Sequence, residues 1–384
     1  MEKCAIILGS ATPALESFHN VNIGKYKLLK LDKRIPGAKL PKVSILDMRY
    51  VPWKGFMISS ILYDKMESAL KNKEQVILFL NKRGSASVVL CKSCGFTAKC
   101  KRCDLTLTYH QSKGKFLCHY CGYNINEFKK CSNCEKELEF IGMGTQKLEQ
   151  EIFNLFPDYK IERLDTDSVT KKGECQRILD DFKENKINIL IGTQMVAKGL
   201  DFPNVTLIGV IASDSSLNIP DFRAQERTYQ LLTQVSGRSG RGQKQGEVVI
   251  QCFNPDHYSI QTSAKGSYND FFIKEMDTRK ILQYPPFSRI IELIIKGKNE
   301  KNVRIIANNI YNILLSYIGK KWNVDLLGPS PMPISFINNN HRWHLLLKSN
   351  NHSIMNQIVS KVIETNKTQK GVGVFVNVDP ISMM

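Results

Sequence analysis

The sequence predicts an α/β protein in three parts: a parallel sheet, a metal-binding insertion within it, and a separate α+β domain after it. Three observations predict this. Apolar runs of strand length alternate with helical segments between Gln75 and Cys252. Four Cys-x-x-Cys pairs crowd into the stretch from Cys91 to Cys134. Beyond Arg289 the elements read in the order βαββαβ.

Taken in order, Cys4 to Leu8 is a short apolar run leading into Gly9-Ser10-Ala11-Thr12-Pro13. It reads as a buried strand entered midway, which suggests a preceding part of the fold. It is too short for a signal peptide. Residues 14–20 read as a helix, and residues 21–58, with Pro36, Pro41 and Pro52, as short strands and a connector. Residues 59–72 are helical with Ile61, Met66 and Leu70 on one face, and Gln75 to Leu80 is a buried strand. Asn81-Lys82-Arg83-Gly84 follows at the carboxyl end, where open α/β sheets place ligands. A helix-like Ser85 to Leu90 leads into the cysteines, so the metal module is inserted rather than appended.

The four pairs are Cys91/Cys94, Cys100/Cys103, Cys118/Cys121 and Cys131/Cys134. Cys-x-x-Cys is the tight turn that aims two sulfurs at one metal, so eight cysteines imply two Cys₄ zinc sites. Gly95 and Gly122 follow two of the pairs, where a left-handed backbone folds the turn back towards its metal. The fourteen residues between Cys103 and Cys118 fit a hairpin, with Leu105, Leu107 and Tyr109 alternating towards a turn at Ser112 to Gly114. This favours a nested arrangement. Cys100, Cys103, Cys118 and Cys121 share one zinc; Cys91, Cys94, Cys131 and Cys134 share the other. A crossed arrangement stays open. A disulfide cluster fits a secreted chain, and nothing else here looks secreted. His110 and His119 are surplus to the two sites and are expected to pack or to donate hydrogen bonds.

After the module the alternation resumes: helix Gly144 to Phe156, strand Lys160 to Leu164 and helix Cys175 to Asn185. Strand Ile187 to Ile191 then leads into a loop from Gly192 to Pro203, and Val205 to Ala212 is the next strand. Helix Arg223 to Ser236 ends in Gly237-Arg238-Ser239-Gly240-Arg241-Gly242, before a strand from Gly246 to Cys252. In the tail, strand Arg289 to Lys296, helix Lys301 to Ile318 and strand Val324 to Leu327 come first. A Pro329-Ser330-Pro331-Met332-Pro333 elbow, strand Trp343 to Lys348, helix Ser353 to Thr365 and strand Gly373 to Val378 follow. This is the split ferredoxin-like pattern.

The net charge is +18, which favours a nucleic-acid partner. Residues 141–255 carry −1, while residues 1–90, 91–140 and 256–384 carry +8, +4 and +7. The basic residues thus flank a neutral sheet. No apolar run is long enough to span a bilayer, and eight paired cysteines without an export signal are expected of a cytoplasmic protein. Phe96, Tyr109, Phe116, Tyr120 and Tyr123 sit among basic residues and either stack on bases or pack the zinc cores. Arg342, Trp343, His344 and Lys348 pose the same choice between a DNA contact and a core Trp.

Four stretches together resemble the PriA family, the primosomal replication-restart helicases of bacteria. Leu8-Gly9-Ser10-Ala11-Thr12-Pro13 resembles helicase motif III. Asn81-Lys82-Arg83-Gly84, running into the cysteines, resembles motif IV and the family's zinc insertion. Gly192-Thr193-Gln194-Met195-Val196-Ala197-Lys198-Gly199 resembles motif V, and Gln234-Val235-Ser236-Gly237-Arg238-Ser239-Gly240-Arg241 resembles motif VI.

The resemblance implies the end of a first RecA-like lobe at 1–20, a connector at 21–58 and a second lobe at 59–90 and 141–255. It also implies a double zinc insertion at 91–140, with nested pairing, and a C-terminal domain at 256–384. Arg241, with Arg238 and Gln234, would reach the γ-phosphate of ATP. Gly199 and Asp201 would sense nucleotide, and Gly192 and Thr193 would contact a DNA phosphate. The implied activity is ATP-driven 3'–5' unwinding of forked or single-stranded DNA at stalled forks, with help in loading the replicative helicase. The implied partners are other primosome proteins and single-stranded-DNA-binding protein. No Gly-x-x-x-x-Gly-Lys-Ser/Thr loop and no acidic box of the Asp-Glu-x-His type occurs. ATP and Mg²⁺ are therefore expected only with the missing first lobe. The alternative is a zinc-ribbon DNA-binding or primosome-assembly module without ATPase activity.

Overall fold

The computed structural model describes all residues except 1–3, 32–39, 81–88, 92, 102–104, 111–113, 127–129, 138, 141–144, 166–172, 194–195, 197–201, 241–243, 319–322, 366–370 and 384. The chain opens with α1 (Leu15–Asn22), β1 (Lys42–Asp47), α2 (Ser60–Lys71) and β2 (Gln75–Leu80). The cysteine-rich stretch holds short strands β3 (Val89–Leu90), β4 (Thr108–His110), β5 (Lys115–Leu117), β6 (Asn124–Asn126) and β7 (Glu139–Phe140). Then come α3 (Thr145–Leu155), β8 (Ile161–Leu164), α4 (Glu174–Lys183), β9 (Ile189–Gly192) and β10 (Val205–Ile211). The single turn α5 (Asp214–Leu217), α6 (Ala224–Ser236), β11 (Glu247–Cys252), α7 (Tyr258–Lys265) and α8 (Tyr268–Ile281) follow. The last elements are β12 (Arg289–Gly297), α9 (Glu300–Ile318), β13 (Asp325–Ile337), β14 (Asn340–Ser349), α10 (His352–Thr365) and β15 (Val372–Val378).

These elements form two compact units. The first comprises Met1–Lys82, Met143–Asp214 and Gln225–Met276; the second comprises Arg83–Gly142, Ser215–Ala224 and Asp277–Met384.

The first unit is built on a six-stranded sheet in the order β1-β11-β10-β2-β9-β8, with every pairing parallel. A parallel sheet needs both faces covered, so its inner strands are largely apolar. Gln-Val-Ile-Leu-Phe-Leu in β2 and Ile-Leu-Ile-Gly in β9 are buried at every position. Val76, Leu78 and Leu80 pack with Leu62, Met66 and Leu70 of α2 and with Leu148 and Ile152 of α3. Helix α2 starts where the Ser59 hydroxyl accepts the Leu62 N–H at 3.2 Å.

The second unit is built on a four-stranded antiparallel sheet in the order β13-β14-β12-β15, the ferredoxin-like arrangement of a βαββαβ chain. Successive side chains alternate between its faces. Ile291, Leu293, Ile295, Leu345 and Leu347 pack under α9 and α10. Ile290 and Leu346 face the other way and pack against Leu105, Leu107, Phe116 and Tyr120 of the cysteine-rich stretch. That stretch thus roofs part of the face the helices leave open.

Four expectations need correction. Cys4 to Leu8 forms no strand, and Ile6, Ile7 and Leu8 are 79%, 83% and 69% exposed. An apolar run becomes a strand only where a neighbour takes its backbone groups, and no described strand pairs with it. Leu62, not Ile61, occupies the core face of α2. The Pro elbow lies inside one long strand, β13, as register irregularities between Leu327 and Ser330 and between Pro331 and Phe336, because Pro cannot donate to a ladder. Helices α7 and α8 were not expected. In α8 the buried Phe271, Phe272 and Met276 and the exposed Ile273 and Ile281 leave no clean apolar stripe to read.

Candidate metal centres and motif-bearing loops

Four turns carry the cysteines, and they share one backbone pattern. The Cys91, Cys100, Cys118 and Cys131 N–H groups donate to the carbonyls of Phe96, Leu105, Tyr123 and Lys136 at 2.8–2.9 Å. The Gly95, Gly122 and Glu135 N–H groups close back on Cys91, Cys118 and Cys131 at 2.8, 2.9 and 2.8 Å. All three closing residues have positive φ: 74°, 76° and 60°. Two are the expected glycines. At the third, Glu135 holds a conformation that disfavours a side chain.

The described sulfurs gather in two groups. Cys91, Cys94, Cys131 and Cys134 lie within 4.8 Å of one another, and so do Cys100, Cys118 and Cys121. Cys103 lies outside the described residues. This grouping is the nested one; no described cysteine pairs in the crossed sense. Cys91 Sγ to Cys134 Sγ is 3.5 Å, Cys94 Sγ to Cys131 Sγ 3.6 Å and Cys100 Sγ to Cys121 Sγ 3.5 Å. Such separations are far beyond the ~2.05 Å of a disulfide. They lie near the ~3.8 Å edge of a tetrahedron with ~2.3 Å zinc–sulfur bonds. The donor set fits zinc on chemistry and on spacing.

The aromatic residues of this stretch pack. Tyr109, Phe116 and Tyr120 are buried, and Phe96 and Tyr123 rest against the same core. His119 is 1% exposed and its Nδ1–H donates to Pro331 O at 2.7 Å. The side chain of His110 lies outside the described residues. Trp343 packs against the core beneath α9 and α10, and His344 is fully buried.

In the first unit, the segment resembling motif III is bound to α6, the helix that runs into the segment resembling motif VI. The buried Glu226 carboxylate accepts the Leu15 N–H at 3.0 Å at the start of α1. Gln230 Nε2 donates to Glu226 Oε1 at 3.3 Å and to Thr12 O at 3.4 Å. The Tyr268 hydroxyl donates to Pro13 O at 2.8 Å. Gln234, one turn beyond Gln230, is exposed, and Arg238 is half-buried. The Ser239 hydroxyl, on Thr206 O at 3.0 Å, ties the loop after α6 to β10. Arg241, Gly199, Asp201 and Asn81 to Gly84 lie outside the described residues.

Gly192 ends β9 opposite Leu164, the last residue of β8. A Cβ there would stand 2.0 Å from Val196 Cγ2, so the turn closes only on glycine. The neighbouring Thr193 is 9% exposed, and its N–H is directed at Leu164 O, 3.4 Å away. Beside it the buried Asp165 accepts the Thr145 hydroxyl at 2.5 Å. Further along the same carboxyl edge, buried Asp214 accepts the Phe253 and Asn254 N–H groups at 2.6 and 2.9 Å. Burial, opposed by those two donors, pushes its carboxyl up to about 6.

One surface feature adds a residue to the basic strand that the sequence singles out at Arg342. On the antiparallel sheet Lys296 and Arg342 are direct cross-strand partners, and Phe375 stands on the same face, 55% exposed. Like charges placed opposite each other cost stability, and neither side chain has an acidic partner within ion-pair distance among the described residues. A clue was available: both positions follow from the register of two basic strand ends.

Residues 280–381 match the family described as "Primosomal protein N C-terminal domain", and residues 112–243 match "Helicase conserved C-terminal domain". The chain is similar to "Replication restart protein PriA" of Bacillus subtilis, 40% identical over a 387-residue alignment that covers 99% of this chain and 48% of that protein. The protein of the same name from Synechocystis is 39% identical over 359 residues, covering 91% and 43%. That of Treponema pallidum is 32% identical over 382 residues, covering 99% and 57%. The chain thus spans about half the length of the curated relatives it matches.

Proposed function

We propose, from the premise that the chain belongs to the PriA family as a C-terminal region of such proteins, that it is the rear part of a replication-restart DNA motor. In this reading the parallel sheet is the second lobe of an ATP-driven helicase. Arg241 and Arg238 act as the cations that neutralise charge developing on the transferred phosphoryl group, and Gln234 faces the same cleft. ATP and Mg²⁺ are held largely by a first lobe, whose Gly-x-x-x-x-Gly-Lys-Ser/Thr loop and acidic box do not occur in this sequence. The observation that carries the reading is the Glu226 and Gln230 clamp. It joins the segment resembling motif III to the helix of motif VI, the coupling a two-lobed motor needs.

The cysteine groups hold two Zn²⁺ ions, one in Cys91/Cys94/Cys131/Cys134 and one in Cys100/Cys103/Cys118/Cys121. They act structurally, since a site with four protein ligands leaves no open position for chemistry. Forked or single-stranded DNA is the partner, with Gly192 and Thr193 beside its backbone. Lys296 and Arg342, which have no acidic partner among the described residues, stand beside Phe375 and support a second contact: two charges for phosphates and a ring for a base. Other primosome proteins and single-stranded-DNA-binding protein complete the set of partners.

The test is ATP hydrolysis on forked DNA by a PriA-family protein that carries this region behind its own first lobe. Arg241→Ala is expected to lower turnover by roughly 10³-fold or more, with DNA affinity unchanged. Unchanged turnover in that variant would remove the motor role. A region that binds DNA tightly yet never supports turnover would be a binding module instead.

A further inference from the structure

The inner metal turn, Cys118 to Cys121, encloses His119 and Tyr120, and both are 1% exposed. The outer turns carry Lys92-Ser93 and Ser132-Asn133 at the corresponding places, and Ser132 and Asn133 are exposed. The inner turn is therefore embedded where the outer one is open.

What embeds it is a chain of hydrogen bonds. The carbonyl of His119 accepts the Ser330 hydroxyl at 2.5 Å and a second bond from His344 Nε2. A carbonyl only accepts, so the proton on Nε2 is fixed there. His344 Nδ1 then faces Glu292 Oε1 at 2.7 Å, and the two share one proton. Asn377 donates to Glu292 Oε2 at 3.2 Å. On the other side His119 donates to Pro331 O, and the Tyr120 ring stands edge-on to His344 with centroids 6.5 Å apart. Ser330 and Pro331 belong to β13, His344 to β14, Glu292 to β12 and Asn377 to β15. Every strand of the antiparallel sheet thus contributes to holding one peptide of the metal turn. Ser330, His344 and Glu292 are 0–1% exposed, so no water competes for these bonds.

We infer that Ser330, His344 and Glu292 are positioning residues for the inner zinc centre. They fix the His119 peptide and with it the angle at which Cys118 and Cys121 present their sulfurs. Groups of this kind, one shell out from the metal, set ligand orientation and metal retention. The inner zinc is in effect a structural part of the C-terminal sheet, whereas the outer zinc is held by its own turns. The inference rests on the assignment of zinc to both cysteine groups.

The test loads the full chain with cadmium-113 and reads its NMR spectrum and the rate of metal loss to a chelator. Two thiolate-type resonances are expected, with Cys134→Ser identifying the outer one. Ser330→Ala, which leaves the His344–Glu292 pair intact, should shift the inner resonance and speed inner metal loss by roughly 10-fold or more, leaving the outer resonance in place. A paired His344→Gln and Glu292→Gln variant, which strands no charge, should do the same. Ser330→Thr, which restores the hydroxyl, should return both readings towards the parent. Two parent resonances that neither variant moves, or that move together, would overturn the coupling alone. Fewer than two in the parent would overturn the metal assignment and this inference with it.

Discussion

The parallel sheet is covered on both faces, whereas the antiparallel sheet has helices on one face and the cysteine-rich stretch over only part of the other. In the parallel sheet, β2 is apolar at five of six positions; Val76, Leu78 and Leu80 join the core under α2 and α3, and Ile77 and Phe79 are buried as well. In the antiparallel sheet, β12 reads Arg-Ile-Ile-Glu-Leu-Ile-Ile-Lys-Gly, nearly as apolar as β2, with Glu292 buried in the middle. An antiparallel strand that read polar on alternate positions would have a wet face. Strand β12 does not, because a cysteine-rich module fills the role a second helical layer fills elsewhere. One sheet is closed by apolar packing; the other is held by packing, a metal turn and a buried carboxylate–imidazole pair.

The largest effect that would sharpen this contrast is loss of metal. Structural zinc sites contribute on the order of 10 kcal/mol to folding. Cys118→Ser should therefore bring metal content down by one ion per chain and strip hydrogen-exchange protection from β12 and β14, while β2 and β10 keep theirs. Equal loss in both sheets would break the comparison. Next is Glu292→Ala, which leaves His344 buried without its partner and should cost about 3–5 kcal/mol in chemical denaturation. Leu78→Ala in the parallel sheet should cost about 2–5 kcal/mol by opening a cavity, but with no effect on metal retention. If Glu292→Ala cost under 1 kcal/mol, the buried pair would have no structural weight.

A smaller effect separates the sheets by pH. Asp214 sits at the edge of the parallel sheet with its carboxyl raised by burial to about 6. A raised carboxyl favours the protonated fold, so its contribution is complete below the ordinary value of about 3.9 and is lost as pH rises through about 6. The upper bound is about 3 kcal/mol for a shift of roughly two units. Asp214→Asn should flatten the stability profile between pH 4 and 6, and a profile identical to the parent would discard the argument. Smallest is Lys296→Gln, which removes one of two opposed like charges. It should stabilise the antiparallel sheet by a few tenths of a kcal/mol. It should also lower the salt dependence of DNA binding by about one phosphate's worth. An unchanged salt slope would take this face out of DNA binding.

Much of this was legible in the sequence because it is local. Cys-x-x-Cys turns are specified within a few residues, and strands such as Gln75 to Leu80 need only their own composition to be read. The nested grouping followed from the length of one hairpin. What could not be read depends on distant partners. Cys4 to Leu8 has the composition of a strand, but no described strand pairs with it. His119 is expected from the sequence to pack or to donate a hydrogen bond, as it does, but its partners lie more than 200 positions away and are not legible there. The sequence places Glu292 in a strand but does not show that His344 is beside it. Glu135 completes a turn that the pattern of the other two would assign to glycine, since a left-handed residue costs only about 1–2 kcal/mol.

The distance along the chain between His119 and Ser330, 211 residues, sets a timetable for biosynthesis. At roughly 5–20 residues per second, a ribosome needs roughly 10–40 s to travel from one to the other. During that interval Tyr109, Phe116 and Tyr120 have emerged, but the antiparallel sheet that shelters them is incomplete. The nascent protein thus shows an uncovered greasy surface although all eight paired cysteines, encoded wholly within Cys91 to Cys134, have already emerged; what the inner turn still lacks is the hold on its His119 peptide. Metal supply and chaperone attendance are needed at different moments of translation.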